Sequence, residues 1–240
     1  MLHSSIRTRA PFAVAEDRAR LREEGVIAFP RFVDDATVST IRAEIARLIV
    51  GHGPASTYGV FRNARGSVLV ANQLDRESDV LFDLARSPEL LAFAADMLGM
   101  SAISLHVEFF DRPIDQPDAT PPHQDQVFYR EDVGCAFAVS FWIALDDLTE
   151  ESGLVEYARP VPSVLLPHDR SPSVDFSYQL ADPSGFSFRR VHVPRGGCIV
   201  HHSYVVHRSG TNQSGRPRWA VVFNYRGSPT REARRRPVPL

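Results

Sequence analysis

The stretch Thr120-Pro-Pro-His-Gln-Asp-Gln-Val-Phe-Tyr129 sets a histidine and a carboxylate two residues apart. Alternate residues of an extended chain project the same way, so His123 and Asp125 can face one point while Gln124 faces away. A single His-x-Asp triplet is a weak signal, because such triplets arise by chance. It gains weight from Val206-His-Arg-Ser-Gly-Thr-Asn-Gln-Ser-Gly-Arg-Pro-Arg-Trp-Ala220, where His207 closes one strand-like run and Arg218 opens the next. The polar turn between them would make the two neighbours across a sheet. Two imidazoles and one carboxylate on one face of an octahedron leave three positions open, which suits Fe(II) holding a bidentate cosubstrate and dioxygen together. Arg218 would then fork onto the far carboxylate of that cosubstrate, with Ser209 adding a hydroxyl.

Other residues compete for these roles. His201 and His202 stand side by side before the downstream segment and either offers an imidazole in place of His207. Adjacent strand residues point to opposite sides, however, so one of them belongs to the core or stands behind the ligands. Arg216 shares strand parity with Arg218, but a buried charge belongs deeper than the turn, which favours Arg218. Asp146, Asp147, Glu150 and Glu151 read as solvated turn chemistry rather than a second metal site. His168, in a Pro-rich loop, and His192, near a strand end, read as surface residues. Gln124, Gln126, Phe128 and Tyr129 run from the first two ligands toward a mouth that His106, Phe110, Asn72 and Asn224 also face. These seven besides Gln124 are the substrate-contact candidates, though each alone is more often a packing residue than a recognition one.

The positioning elements fall into two textures. Ala15–Glu24 reads as a helix closed by Gly25, followed by a strand Val26–Phe29 that Pro30 stops. Asp34 or Asp35 caps a helix with Val38, Ile41, Ile45 and Leu48 at three- and four-residue steps, ending at Gly51. Residues 52–66 read as loop and Ser67–Ala71 as a strand. Helices follow at roughly 78–86 and 88–98, the second with Ser87 as cap, Pro88 in the first turn and Gly99 as terminator. From residue 101 strands dominate: Ser101–Phe110, Cys135–Leu145, Gly153–Tyr157, Val164–Leu166, Phe186–Val193, Cys198–Val206 and Arg218–Arg226. The pattern predicts one domain over 1–240: a helical prologue over about 15–99, an antiparallel jelly-roll core over about 101–226 and a loose tail at 227–240. The polar stretch 167–185 reads as a surface insertion able to serve as a lid.

Composition narrows the chemistry. With 240 residues and 43% hydrophobic content, the chain supports one substantial core. A formal net charge of -2 gives no field suited to nucleic acid or an anionic membrane, so the expected partner is a small molecule. All 27 basic residues are arginine, which excludes Schiff-base chemistry, pyridoxal phosphate attachment and a P-loop lysine. Cys135 and Cys198 form no Cys-x-x-Cys pair and read as reduced core thiols, with a disulfide between them left open. The N-terminal residues lack a signal-peptide core and no run approaches the length of a membrane span, so a cytoplasmic monomer or homodimer is expected.

Taken together, three segments resemble the phytanoyl-CoA dioxygenase (PhyH-like) family of Fe(II)/2-oxoglutarate oxygenases. They are Glu24-Gly-Val-Ile-Ala-Phe-Pro30 with the Asp-capped helix; Pro121-Pro-His-Gln-Asp125 with Phe141-Trp-Ile-Ala-Leu-Asp-Asp-Leu-Thr-Glu-Glu-Ser-Gly153; and the spacing of His207, Ser209, Asn212, Ser214 and Arg218. The resemblance covers nearly the whole chain. It implies a mainly β fold, a double-stranded β-helix (cupin-like jelly roll) braced by N-terminal helices, and the cofactors Fe(II), 2-oxoglutarate and O2. It implies iron ligation by His123, Asp125 and His207, the 2-oxoglutarate C5 carboxylate held by Arg218 and Ser209, and Trp142 flanking that pocket. The implied reaction hydroxylates an unactivated C–H of a small metabolite or natural-product intermediate, releasing succinate and CO2. Desaturation, epimerisation and cyclisation use the same oxidant, whereas halogenation is disfavoured because Asp125 fills the carboxylate position. Two departures, Tyr157-Ala-Arg-Pro160 and Gly196-Gly197, bear on the substrate pocket rather than the iron. A zinc hydrolase would leave Arg218 without a role and shows no His-Glu-x-x-His helix. An inactive jelly-roll binding protein would have no need of an intact ligand set.

Overall fold

The computed structural model describes residues 15–51, 59–114, 119–129, 138–172 and 177–227. Ala15–Glu24 (α1) ends at Gly25, whose φ of 74° lets its N–H bond Leu21 O at 2.8 Å. A Cβ at Gly25 would lie 2.5 Å from Val205 Cγ2, so glycine is required there on two counts. Val26–Phe29 (β1) leads to Asp35–Gly51 (α2), and Asp34 is its cap, accepting from Thr37 N at 2.8 Å. Val60–Arg62 (β2) and Val68–Ala71 (β3) follow. Next come Asp79–Ala85 (α3), capped by Ser78, and Pro88–Leu98 (α4), capped by Ser87 and ended by Gly99 at φ 72°.

The remaining strands are Ala102–Arg112 (β4), Thr120–His123 (β5), Ala138–Ala144 (β6), Val155–Arg159 (β7), His168–Arg170 (β8), Tyr178–Leu180 (β9), Ser187–Arg190 (β10), Cys198–His202 (β11), His207–Ser209 (β12) and Arg218–Gly227 (β13). They form an antiparallel jelly roll. One sheet runs β1-β11-β6-β13-β4-β3-β2, the other β10-β7-β12-β5, and β8 pairs β9.

The seven-stranded sheet is buried on both faces, and each central strand is read twice by its alternation. Phe141 and Ile143 of β6, Val221, Phe223 and Tyr225 of β13, and Val107 and Phe109 of β4 pack on one side with Ile41 and Ile45 of α2 and with Phe93 and Met97 of α4. Trp142, Ala144, Ala220, Val222 and Ile199 pack on the other side with Val155 and Tyr157 of the smaller sheet. Each fully buried side chain of this size contributes roughly 1.5–3 kcal/mol. The helices therefore cover one face of the large sheet and leave the opposite face for the inter-sheet space.

Several expectations need correction. The loop expected at 52–66 contains β2, which pairs β3. Val164–Leu166 is not a strand, because the Gln124 carboxamide takes its backbone: Nε2 donates to Val164 O at 2.9 Å and Leu166 N donates to Oε1 at 2.7 Å. Phe186–Val193 shortens to β10. The apolar run Cys198–Val206 is not one strand: after His202 the chain turns, with Val205 N bonded to His202 O, and crosses to the second sheet. Val205 and Val206 are apolar because that crossing is buried. The surface insertion at 167–185 holds the β8–β9 hairpin, and His168 is structural rather than a surface residue, its Nε2 accepting from Gln124 N at 3.1 Å. Asp146 is more than turn chemistry, since it accepts from Trp219 N at 2.8 Å and pairs with Arg42. Cys198 is a buried free thiol, while Cys135 and the tail from 228 lie outside the described residues.

Candidate metal centre and its cavity

His207 opens β12 directly opposite His123 of β5, so the two rings meet with centroids 4.3 Å apart. Asp125 does not continue the extended chain as expected, because Asp125–Tyr129 forms a 3-10 turn; that turn brings its carboxylate back to the two rings. One ligand atom from each of His123, Asp125 and His207 lies within 4.8 Å of the others. The tautomers follow from the backbone. His123 Nδ1 bonds Pro121 O at 2.8 Å and His207 Nδ1 bonds Val205 O at 3.2 Å. A carbonyl only accepts, so each Nδ1 carries the proton and each Nε2 the lone pair. The two Nε2 atoms lie 3.6 and 3.5 Å from Asp125 Oδ1. Three electron-pair donors thus converge with no proton among them, an arrangement that a divalent cation satisfies and hydrogen bonding does not.

Electrostatics agree. Burial and the His123 ring beside it push His207 down to about 3, which keeps it neutral and able to ligate. Burial opposes ionisation of Asp125, yet the carboxyl is held well below the usual carboxylate range, and the His201 ring donating to it is one cause. Asp125 Oδ2 is met from the other sheet by His201 Nε2 at 3.0 Å, and Ser140 Oγ stands 3.1 Å away with its one proton shared between Oδ2 and Asn224 Oδ1. His201 Nδ1 in turn meets the Tyr157 hydroxyl at 3.0 Å, and the Tyr157 ring stacks on His207. Of the two adjacent histidines, His201 therefore backs the carboxylate. His202 faces away, accepts from Tyr204 N at 3.1 Å, and is brought to about 4 by burial and by His201.

The centre opens into a cavity of about 460 Å³ between the sheets. At one end stand Arg112, Thr120, Ser209 and Arg218. Arg218 and His207 are not neighbours across one sheet, as the sequence suggested, but lie in opposed sheets and face the same space. Arg218 is 3% exposed, with Nη1 donating to Gly153 O at 2.7 Å and Nε lacking a hydrogen-bond partner among the described residues. Burial, reinforced by the Arg112 charge, brings it down to about 9 against the pull of Asp111, so this guanidinium demands an anion. The Ser209 hydroxyl accepts from Arg112 Nε at 3.1 Å and donates to Thr120 Oγ1 at 3.1 Å. Trp142 lies under Arg218, 5.4 Å from ring centroid to Cζ. Arg216 is exposed in a separate surface groove.

Toward the other end the lining includes Asn72, His106, Phe110, Phe128, Tyr129 and Asn224, six of the seven expected contact residues. Gln126 is the correction: it is outside the lining, its Oε1 accepting from Ser203 Oγ at 2.7 Å. Sequence reasoning missed Arg112, Glu108, Ser140 and Tyr157. The first two share the alternation of His106 and Phe110 along β4, a signal present in the sequence. Ser140 carried no signal beyond lying on a strand, and Tyr157, whose segment was expected to bear on the substrate pocket rather than the iron, instead stacks on His207 and meets His201. No helix among the described residues is long and apolar enough to cross a membrane.

The sequence profile of the phytanoyl-CoA dioxygenase (PhyH) family matches residues 21–220. L-proline trans-4-hydroxylase of Streptomyces griseoviridis is 24% identical over 229 residues, spanning 87% of this chain and 84% of the hydroxylase. The peroxisomal phytanoyl-CoA dioxygenase of Bos taurus is 23% identical over 232 residues, spanning 88% and 67%. Among solved structures, the epimerase SnoN in complex with Fe3+, alpha ketoglutarate and nogalamycin RO has a TM-score of 0.68 at 22% identity, covering 88% of this chain and 82% of that one. EvdO2 from Micromonospora carbonacea var. aurantiaca, complexed with 2-oxoglutarate, has a TM-score of 0.67 at 22% identity, covering 90% and 92%.

Proposed function

Because the chain belongs to the phytanoyl-CoA dioxygenase (PhyH) family, we propose that His123, Asp125 and His207 hold its iron and that Arg218 receives the far carboxylate of 2-oxoglutarate. The protein is an Fe(II)- and 2-oxoglutarate-dependent oxygenase. The observation that carries the site assignment is the convergence of three proton-free donors in the same cavity as an under-neutralised buried guanidinium.

Bound there, iron, 2-oxoglutarate and O2 together supply the oxidation of a substrate C–H to C–OH, with succinate and CO2 as the other products. The chain's own residues do the positioning. Asp125 would offer Oδ1 to the iron, since His201 engages Oδ2, and two imidazoles with one carboxylate oxygen would leave room for the cosubstrate and O2. Arg218 presents a fork fixed by Gly153 O and Trp142, a geometry that suits a carboxylate. Arg112 orients the Ser209 hydroxyl beside it. The apolar lining, with Phe110, Trp142, Val155 and Val222, excludes water from the reacting end.

We read the substrate as a small molecule and the outcome as hydroxylation, in line with the name of the hydroxylase relative. The whole chain acts as one domain, a monomer or homodimer in the cytoplasm. Two measurements test the assignment. Anaerobic Fe(II) protein should gain a visible charge-transfer absorption on adding 2-oxoglutarate, and His207→Ala should lose it together with succinate release under air. An unchanged spectrum in His207→Ala would overturn the ligand set.

A further inference from the structure

β4 presents His106, Glu108, Phe110 and Arg112 to the cavity, and their alternation lays out a polarity along it. At about 3.4 Å per residue, Glu108 sits roughly 13–14 Å along the strand from Arg112. One end of the cavity thus carries two guanidiniums, with the Asp111 carboxyl beside Arg218, and the other carries the Glu108 carboxylate. Glu108 is 20% exposed at its side chain, so it is largely withdrawn from water. The opposed strand supplies Asn224, whose Nδ2 donates to Glu108 Oε2 at 2.8 Å; His106 Nε2 lies 3.5 Å from the same oxygen. Both contacts fall on Oε2. Oε1 has no partner among the described residues.

Glu108 therefore turns one carboxylate oxygen, unclaimed by protein, toward the cavity space, where a ligand can meet it. The neighbouring ring responds to this carboxylate: burial pulls His106 down, yet the Glu108 charge outweighs burial and His106 ends above its ordinary value. The carboxylate is tied to the metal centre as well. Asn224 must point Nδ2 at Glu108, so its Oδ1 faces Ser140 Oγ at 2.7 Å, and Ser140 is 3.1 Å from Asp125 Oδ2. Two intervening side chains separate a cavity anion from an iron ligand. Phe61, Phe110, Phe128 and Tyr129 line the space around it, and aromatic faces near a carboxylate favour a cation with an apolar body.

We propose that Glu108 anchors the substrate of this cavity and that the group it takes is a protonated amine. The inference rests on the oxygenase reading above and adds to it the class of molecule oxidised. An amine held at Oε1 directs the rest of the molecule along the Phe110 wall toward the iron ligands. The anionic cosubstrate is held at the opposite, arginine end, so the two ligands sort by charge.

The test uses the Fe(II) and 2-oxoglutarate complex under nitrogen, with phenethylamine and its neutral counterpart 2-phenylethanol as probes in calorimetry. The wild type should bind the amine about ten- to a hundred-fold more tightly than the alcohol, the worth of one hydrogen bond to a charged group. Glu108→Gln should abolish that preference. If thermal denaturation shows that variant unfolded, Glu108→Asp replaces it, with a reduced preference expected. Equal binding of the two probes by the wild type, or an amine preference that survives in Glu108→Gln, overturns the proposal. Loss of the charge-transfer absorption in the wild type would instead sink the iron reading, so the two failures are distinguishable.

Discussion

Arg218 illustrates how much a single side chain's setting adds to its identity. Its fork is pinned by Gly153 O, it is backed by Trp142, and its charge is poorly met by protein. Arg218→Met should raise the 2-oxoglutarate concentration for half-maximal turnover by about ten- to a hundred-fold, the value of charge-assisted bonds, while leaving iron binding intact. Arg216→Ala, at an exposed position, should leave it unchanged. Titration of the 2-oxoglutarate absorption band reads both. Asp111, beside Arg218, gives a pH signature. Burial pushes it up to about 7, although the Arg218 charge pulls it the other way. The folded protein therefore keeps a proton that the unfolded chain releases near its ordinary value of 3.8, so this group's contribution to stability is present at low pH and is lost between about pH 4 and 7. Asp111→Asn should flatten that part of the stability profile in urea unfolding measured across the range. His201→Ala should weaken iron affinity by about ten- to a hundred-fold, as expected when the partner of a ligating carboxylate is removed.

At the scale of elements, the site depends on how strands and turns meet. Gly153 has a φ of 69°, and a Cβ there would lie 2.5 Å from Gly210 O, just beyond β12. Its carbonyl also holds Arg218. Gly153→Ala should therefore both destabilise the fold and weaken 2-oxoglutarate binding, measured by thermal denaturation and by the absorption titration. Ile41→Ala, on the face of α2 that covers the large sheet, should cost about 2–5 kcal/mol in urea unfolding, with the absorption band of the surviving folded protein unchanged. The helices were legible because their caps are chemically specific: Ser87 with Pro88 and Gly99, and Asp34 before an apolar period, fixed their ends to within a residue or two. Strands were legible as apolar runs, but their ends were not. Val205 and Val206 are buried without belonging to a strand, and the backbone at Val164 and Leu166 bonds a side chain remote in sequence.

Over the whole molecule, the two sheets form a vice around the cavity, with β5 and β12 supplying the imidazoles and β6, β11 and β13 supplying what orients Asp125. Metal and cosubstrate bind only the closed sandwich, so saturating Fe(II) and 2-oxoglutarate should raise the unfolding temperature. Each ligand at a hundred times its dissociation constant stabilises the fold by about 2.7 kcal/mol. The sequence by itself determined the ligand types, the arginine, the helices with their caps and the strand-rich second half, because these follow from side-chain chemistry and local pattern. Only the tertiary structure decided that Asp125 reaches the histidines through a turn, that His207 and Arg218 face each other from different sheets, and that Glu108 and Arg112 stand at opposite ends of one cavity. Those facts depend on which strands become neighbours, and strand pairing joins residues whose separation along the chain carries no periodic mark.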